Sequence, residues 1–451
     1  MSTRRTFLKQ TAIATAGLAI GLPALGNLLP NSKTKVIIIG AGFAGLAAAY
    51  RLHLENVDFI ILESRNRIGG RVFSNKITND LVIEFGGEWV GNSHFRIQEL
   101  CREFELELQN NQFDTHLIYK GEYSPSGKWD YSEKWNAKFQ EIIKNYPSLT
   151  DADKIQLDKT DWWRYLVQNG CNGRDLDIRE LMDSTDFGES IRHVSAFSAL
   201  SEYAESSEKN EMDLKIKGGN GMLAEKLADK ISKDKILLQH SVTRIEQGDK
   251  VKVLCANGQV LESDNIICTI PTFAINKIDW QPALPLEKMQ ALNELQYARI
   301  NKHAMVFDKR FWGDESFDMV TDELPHYFYH ATKNQKSPAG VLMSYSIGDK
   351  AAVIANQNNE RNAQMAIQTL EPHFGKVQNL LTKQANYYWG NDDISKGAYA
   401  IYGKGQWFRI RPILQEPFLH THFAGEHLAD WQGFMEGAIN TGEDAAAAVI
   451  G

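Results

Sequence analysis

Three glycines near the start of the chain, Gly40, Gly42 and Gly45, stand in the spacing G-x-G-x-x-G, and an acid, Glu63, follows them at the distance where a ribose-binding carboxylate belongs. That constellation can hold a dinucleotide. The first glycine permits a tight turn, the second lets a pyrophosphate approach the backbone, and the third lets a helix pack closely on a strand. The phosphates then meet the positive end of the helix. The elements that must position these groups are legible beside them. Val36–Ile39 is a short run of β-branched residues, the pattern of a strand buried on both faces of a parallel sheet. Small residues from Leu46 to Tyr50 open a helix, and Phe59–Leu62 is a second strand ending at Glu63.

Glycine spacing alone does not separate NAD from FAD. The residues after Glu63 add Arg65, Arg67, Gly69, Gly70 and Arg71 in the pattern ExRxRxGGR. The whole stretch, Lys35 to Phe73, resembles the FAD unit of two-dinucleotide-binding flavoproteins, and within them the flavin amine oxidase family, which includes monoamine oxidases and L-amino acid oxidases. The resemblance implies an α/β fold: an FAD-binding, Rossmann-like domain with an interleaved α+β substrate-binding domain. It places residues 34–112, 214–280 and 395–451 in the first and residues 113–213 and 281–394 in the second. It also implies that Gly69 and Gly70 run beside the cofactor, with Arg65 and Arg71 at its polar parts.

The same resemblance assigns further residues. Leu81 to Gly91 reads as a strand running into Gly86, Gly87, Glu88 and Trp89, where the backbone passes the flavin ring. Val242 offers its backbone to the adenine. Lys302 precedes the pair Phe311 and Trp312 by the family spacing, which makes it the lysine that holds a water at flavin N5 and favours the anionic reduced ring by charge. Trp389 to Tyr402 resembles the monoamine oxidase segment that attaches the flavin and forms one wall of an aromatic cage. Here Ala398 replaces the attaching cysteine, so FAD is expected to be non-covalent, with Tyr399 as the cage residue. The block Phe423 to Gly442 supplies Gly425, Glu426, Phe434 and Met435; Phe434 takes the second cage position, where monoamine oxidases usually have tyrosine. Lys302, Tyr399 and Phe434 are the expected catalytic set.

The remaining features bound the alternatives. At 451 residues, 43% hydrophobic and 24% charged, the chain is of ordinary globular composition and long enough for two cores. Its net charge of −8 argues against nucleic acid as a partner. Residues 3–9, TRRTFLK, followed by the mildly apolar run Thr11 to Gly26, resemble a twin-arginine export signal occupying residues 1–33 with its linker, cleaved between Ala24 and Asn31. A periplasmic or secreted bacterial protein is therefore expected. No apolar tail stands at Gly451, so no membrane anchor is expected, and a homodimer stays open. Cys101, Cys171, Cys255 and Cys268 are far apart with no C-x-x-C spacing, so no metal site is expected; Cys255 and Cys268 read as packing residues. Four tryptophans, Trp129, Trp135, Trp162 and Trp163, read as core packing of a helical region rather than as a pocket.

The implied reaction is oxidation of a small amine to an imine, with dioxygen as electron acceptor. An L-amino acid oxidase is a second reading, weakened because Trp89 stands at the position of the carboxylate-clamping arginine, although Arg96 or Arg192 offers a clamp from elsewhere. Glu88 is a candidate for a second ammonium of a diamine. A dehydrogenase passing electrons to a periplasmic cytochrome and a flavin-binding protein without turnover complete the set.

Overall fold

The computed structural model describes residues 36–451; the export signal expected before them lies outside the described residues. Val36–Ile39 is fully buried in the middle of a five-stranded parallel sheet. Phe59–Leu62 and then Ile236–Leu237 lie on one side of it, Asn265–Cys268 and then Thr421–Phe423 on the other. Period-two alternation divides its side chains. Val36 and Ile38 face a layer formed by helix Phe43–Leu54 with helices Gly221–Ile231 and Met435–Ile450 beside it, whereas Ile37 and Ile39 face a core shared with Ile245 and Val253. Both faces are covered, which is why the strand reads as an uninterrupted apolar run. Helix Met435–Ile450 lies so close on Phe43–Leu54 that a Cβ at Gly442 would stand 2.0 Å from the Ala44 carbonyl oxygen.

A four-stranded sheet follows, in the order Val260–Ser263, Val251–Cys255, Val242–Gln247, Asp279–Gln281. A turn at Asn257–Gly258 joins its first two members in that order, with Gly258 at φ +83°.

The third large sheet has seven strands, in the order Leu381–Tyr388, Ile300–Phe307, Gly340–Ile347, Tyr327–His330, Phe317–Thr321, Asp114–Tyr119, Glu122–Ser124. All its pairings are antiparallel except Phe317–Thr321 with Asp114–Tyr119. The last two strands fall inside a stretch whose composition reads as helical. Asp114–Tyr119 is only partly apolar, and it is a strand because it pairs with Phe317–Thr321, a partner some two hundred residues away that no local pattern reveals. Leu381–Tyr388 is an edge strand with no fully buried residue, which hides its periodicity.

Ile300–Phe307 and Gly340–Ile347 are buried along their whole lengths. Met305 and Phe307 pack under helix Asn359–Phe374, and Ala304 and Val306 face the opposite core. Alternation puts Lys302 and Ile300 on the second face, toward the parallel-sheet domain.

Helices Glu133–Asn145, Asp151–Asp158, Trp162–Gln168, Gly173–Phe187 and Ala196–Glu205 form the helical region. Trp135 and Trp162 are in its core; the Trp129 indole donates to Thr115 O at 2.7 Å, and Trp163 lies under the Arg192 guanidinium. None of the four lines the large cavity described below. The four cysteines are free and buried.

Candidate active site

One large cavity runs from the end of Val36–Ile39 to the face of the seven-stranded sheet, with about 1780 Å³ of empty space including its solvent-open part. At one end the walls are backbone. Helix Phe43–Leu54 starts at Gly42 with no side-chain cap, and Phe43 and Ala44 of its first turn line the cavity. Its free N–H groups therefore open toward any anion there. A Cβ on Gly42 would find its nearest neighbour, Gly70 Cα, at 3.9 Å, so the surface beside it is open. Gly45 is different: a Cβ there would stand 1.9 Å from Gly40 O, so its role is helix-on-strand packing, and it does not line the cavity. The Glu63 carboxylate is buried and already oriented, accepting from Ala41 N at 2.8 Å and Arg65 N at 2.7 Å.

Arg65 and Arg71 both line this half, each tied to an acid. Arg65 Nη2 lies 2.6 Å from Asp392 Oδ1 and 2.9 Å from Ser395 Oγ. Arg71 Nη1 lies 2.5 Å from Glu426 Oε1, while Glu426 Oε2 accepts from Gly433 N at 2.8 Å. Burial opposes the Arg71 charge, but the Glu426 carboxylate, together with Tyr297 and Asp392, outweighs it and raises the guanidinium pKa. The two residues thus hold each other, and through Gly433 they fix the start of helix Met435–Ile450. That helix also begins without a side-chain cap, at Phe434, and Met435 lines the cavity. The site thus has two uncapped helix N-termini, a glycine surface between them and a fixed carboxylate. These fit an anionic dinucleotide whose far end carries an electron-accepting ring.

Lys302 lies in the middle of the cavity wall, 3% exposed. Its Nζ donates to Gly86 O at 2.8 Å and Glu84 O at 3.2 Å and lies 3.4 Å from Glu88 Oε2. Burial lowers its pKa, with Glu88 and Glu84 pulling the other way. Glu88 is not available to a substrate, because Lys215 Nζ bonds its Oε1 at 2.6 Å and Tyr329 OH donates to its Oε2 at 2.9 Å. Those cations outweigh the cost of burial and hold its pKa below the usual carboxylate range. This overturns the expectation that Glu88 attracts a second ammonium. Trp389 does line the cavity, but its indole donates to Phe85 O at 2.7 Å, which pins the strand end before Gly86.

The reaction half carries the aromatic side chains. Tyr399 and Phe434 both line it, with Tyr345 and Tyr327 behind. The Tyr399 hydroxyl is bonded to the Asp186 carbonyl, and a Cβ on Gly433 would come within 2.8 Å of its ring. Phe434 is braced edge-on by His94, with centroids 5.1 Å apart, and by Trp431 at 5.9 Å. His94 is neutral, its pKa lowered to about 4 by burial. Two carboxylates, Asp186 and Glu202, line the same half. Tyr203 OH donates to Asp186 Oδ2 at 2.8 Å, yet burial and the charge of Asp183 raise the Asp186 pKa to about 7.

Gly40, Glu63, Arg65, Gly69, Gly70, Arg71, Gly86, Gly87, Glu88, Trp89, Lys302, Trp389, Tyr399, Gly425, Glu426, Phe434 and Met435 are therefore brought to one cavity, together with Gly42. Val242 is not; it lies on the four-stranded sheet, outside the lining. Neither arginine proposed as a carboxylate clamp reaches the cavity. Arg96 pairs with Glu443 at 2.8 Å, and Arg192 is exposed, stacked on Trp163. Sequence reading missed Lys215, Asp186 and Glu202. Lys215 alternates with apolar Leu214 and Ile216 as a solvent-facing lysine would, and nothing local distinguishes it from exposed Lys217.

The model of the flavin containing amine oxidoreductase family matches residues 43–450. Among curated proteins, the chain is 25% identical over 458 residues to human amine oxidase [flavin-containing] B, covering 93% of this chain and 86% of the human protein. It is likewise 25% identical over 462 residues to an L-amino acid dehydrogenase of Synechocystis sp., covering 95% and 97%. Among solved structures, cyclohexylamine oxidase from Brevibacterium oxydans superposes with a TM-score of 0.82 at 22% identity, covering 92% of this chain and 98% of that one. Putrescine oxidase bound to putrescine gives 0.83 at 21%, covering 92% and 99%. With that match across nearly all the described residues and a cavity built for a flavin dinucleotide, the chain belongs to the flavin-containing amine oxidoreductase family.

Proposed function

We propose that the protein oxidises a primary or secondary amine to an imine, which water then converts to an aldehyde or ketone and ammonia or a smaller amine. FAD, when bound, accepts the hydride from the α-carbon and passes its electrons to dioxygen, giving hydrogen peroxide. Gly40, Gly42, Gly70 and the first turn of helix Phe43–Leu54 would hold its diphosphate, Glu63 a ribose, and Gly86, Gly87 and the N-terminus of helix Met435–Ile450 its ring. Ala398 supplies no thiol for attachment, which supports non-covalent binding. The Tyr399 and Phe434 rings exclude water from the reacting amine and tolerate its ammonium form better than aliphatic walls would. They also limit the orientations of the C–N bond. Lys302 places a buried cation at the wall between the two halves.

The observation that carries the choice of amine is the charge of the lining. Among the described residues lining the cavity, the basic side chains are Arg65 and Arg71, each paired with a carboxylate, and Lys302, which shares Glu88 with Lys215 at the boundary with the flavin-binding part; the reaction half adds Asp186 and Glu202 and no basic side chain. An amine is attracted to that half, whereas an α-carboxylate meets acids there and no basic side chain. The likeness to an L-amino acid dehydrogenase along 97% of its length favours a second reading, oxidation of L-amino acids. Anaerobic mixing of the yellow holoenzyme with aryl-alkyl amines, diamines and L-amino acids separates them. Bleaching by amines supports the first reading; bleaching by amino acids alone overturns it, and bleaching by neither class leaves a flavin-binding protein without turnover. A slow return of colour in air that an oxidised cytochrome accelerates would make the acceptor a cytochrome. Export by the twin-arginine route and the division into two interleaved domains belong to the same reading, supported by the TRRTFLK leader and by the separate parallel and seven-stranded sheets.

A further inference from the structure

Glu88 lies between buried Lys302 and the largely buried Lys215, whose side chain is 12% exposed. Lys215 Nζ stands 2.6 Å from its Oε1, and Lys302 Nζ stands 3.4 Å from its Oε2, which also accepts from Tyr329 OH. Lys302 reaches the cavity, and Lys215 does not line it. Lys215 arrives on strand Leu214–Ile216, which is locked to the segment carrying Glu88 by reciprocal backbone bonds between Leu214 and Val90 of 2.7 and 2.8 Å. Farther along, Asn220 Nδ2 holds the carbonyls of Gly87 and Glu88 at 3.0 and 2.8 Å. The carboxylate is thus fixed in place, and its two oxygens are divided between two cations.

Without Lys215, one carboxylate and one ammonium would face each other and cancel. With it, one positive charge is left over. The other acid nearby, Glu84, lends Lys302 only its backbone oxygen; its carboxyl is held by Ser74 Oγ at 2.8 Å and Asn220 N at 2.9 Å, and burial raises its pKa to about 7. The groups packed around Glu88 are therefore Lys215, Lys302, Glu84 and Tyr329. In a site shielded from water, a charge imbalance of this kind is felt far more strongly than at a surface.

We infer that Lys215 is a positioning residue that acts through Glu88 to leave the charge of Lys302 uncompensated toward the flavin-binding part of the cavity. The inference rests on the flavin reading of the site and not on which amine is oxidised. A bound flavin next to an uncompensated cation is easier to reduce and binds sulfite more tightly, because both changes place negative charge on the ring.

The test compares purified FAD-loaded variants by sulfite titration and by equilibrium reduction against a reference dye. Lys215→Met is expected to weaken sulfite binding about tenfold and to lower the two-electron potential by the equivalent factor, about 30 mV. Lys215→Arg is expected to restore both values. Glu88→Gln should shift both readouts in the opposite direction, and the double variant should return close to the native protein. A purely structural Lys215 would leave the potential unmoved, or would shift it in the same direction as Glu88→Gln; either result overturns the inference. Should Lys215→Met fail to retain FAD, Lys215→Gln, which keeps a polar head beside Glu88 without the charge, supplies the same comparison. Amine turnover enters none of these readouts, so a wrong amine assignment leaves them intact.

Discussion

The two halves of the cavity are built in different ways. The dinucleotide half is made of backbone: glycines, two uncapped helix ends and one acid held by main-chain N–H groups, most of it within Val36 to Arg71. The reaction half is made of side chains carried by distant segments, Glu88, Asp186, Lys302, Tyr399 and Phe434, each needing a neighbour to fix it, as Lys215 fixes Glu88 from outside the cavity. Backbone sites depend on chain geometry, so changes there are expected to be all or none. Side-chain sites depend on charge and shape, so changes there are expected to be graded.

The first half offers the largest expected effect. A methyl at Gly45 would overlap Gly40 O, and neither backbone can yield without moving the strand. Gly45→Ala is expected to cost about 3 kcal/mol, visible as a lower thermal midpoint together with loss of the flavin absorbance copurifying with the protein. Gly42→Ala sharpens the contrast. Its methyl has room and its φ of −76° suits alanine, so the fold should keep its stability while FAD retention falls. Equal stability losses in the two variants would mean that Gly42 is also a packing glycine.

In the second half, Lys302→Met should keep both fold and flavin. Its expected effect is on the electron acceptor step: the return of colour in air after anaerobic reduction slows by about a hundredfold, the magnitude typical of removing one buried group that stabilises developing negative charge. An unchanged rate would confine Lys302 to holding Gly86 and Glu84 in place.

The same division explains what the sequence shows. Gly40, Gly42, Gly45 and Glu63 are legible because a βαβ unit concentrates them in one stretch with fixed spacing. Lys302, Tyr399 and Phe434 are legible only through likeness to the family, since each lies in a segment that by itself reads as ordinary strand or loop. Lys215 and Asp186 are not legible at all. A half-buried lysine in the sequence Leu-Lys-Ile looks like an edge-strand lysine, and Asp186 falls on a helix where an acid is unremarkable. Strand Asp114–Tyr119 escapes for a related reason, because its partner Phe317–Thr321 is remote.

Asp186 gives the smallest expected effect and the one that reports on the substrate itself. Its neighbours are Asp183, Tyr203, Asn210 and Arg179, the last paired with Asp183 at 2.9 Å. With a pKa raised to about 7 by burial and the charge of Asp183, the carboxyl binds its proton more tightly in the folded than in the unfolded chain. Its contribution to stability is therefore present below the ordinary carboxylate range and is lost as pH rises toward 7. Asp186→Asn removes that loss, so its thermal midpoint relative to the native protein should rise with pH. Substrate binding should move the other way. Above pH 7 the ionised carboxylate attracts an ammonium group, and the neutral amide of the variant does not. The ratio of KM values, variant over native, should be near one at pH 6 and grow about fivefold by pH 8.5, about 1 kcal/mol for one charge-assisted contact. Using that ratio cancels the titration of the amine, which is common to both proteins. A ratio that stays flat while the thermal midpoints diverge would mean that Asp186 titrates as expected but does not face the bound amine.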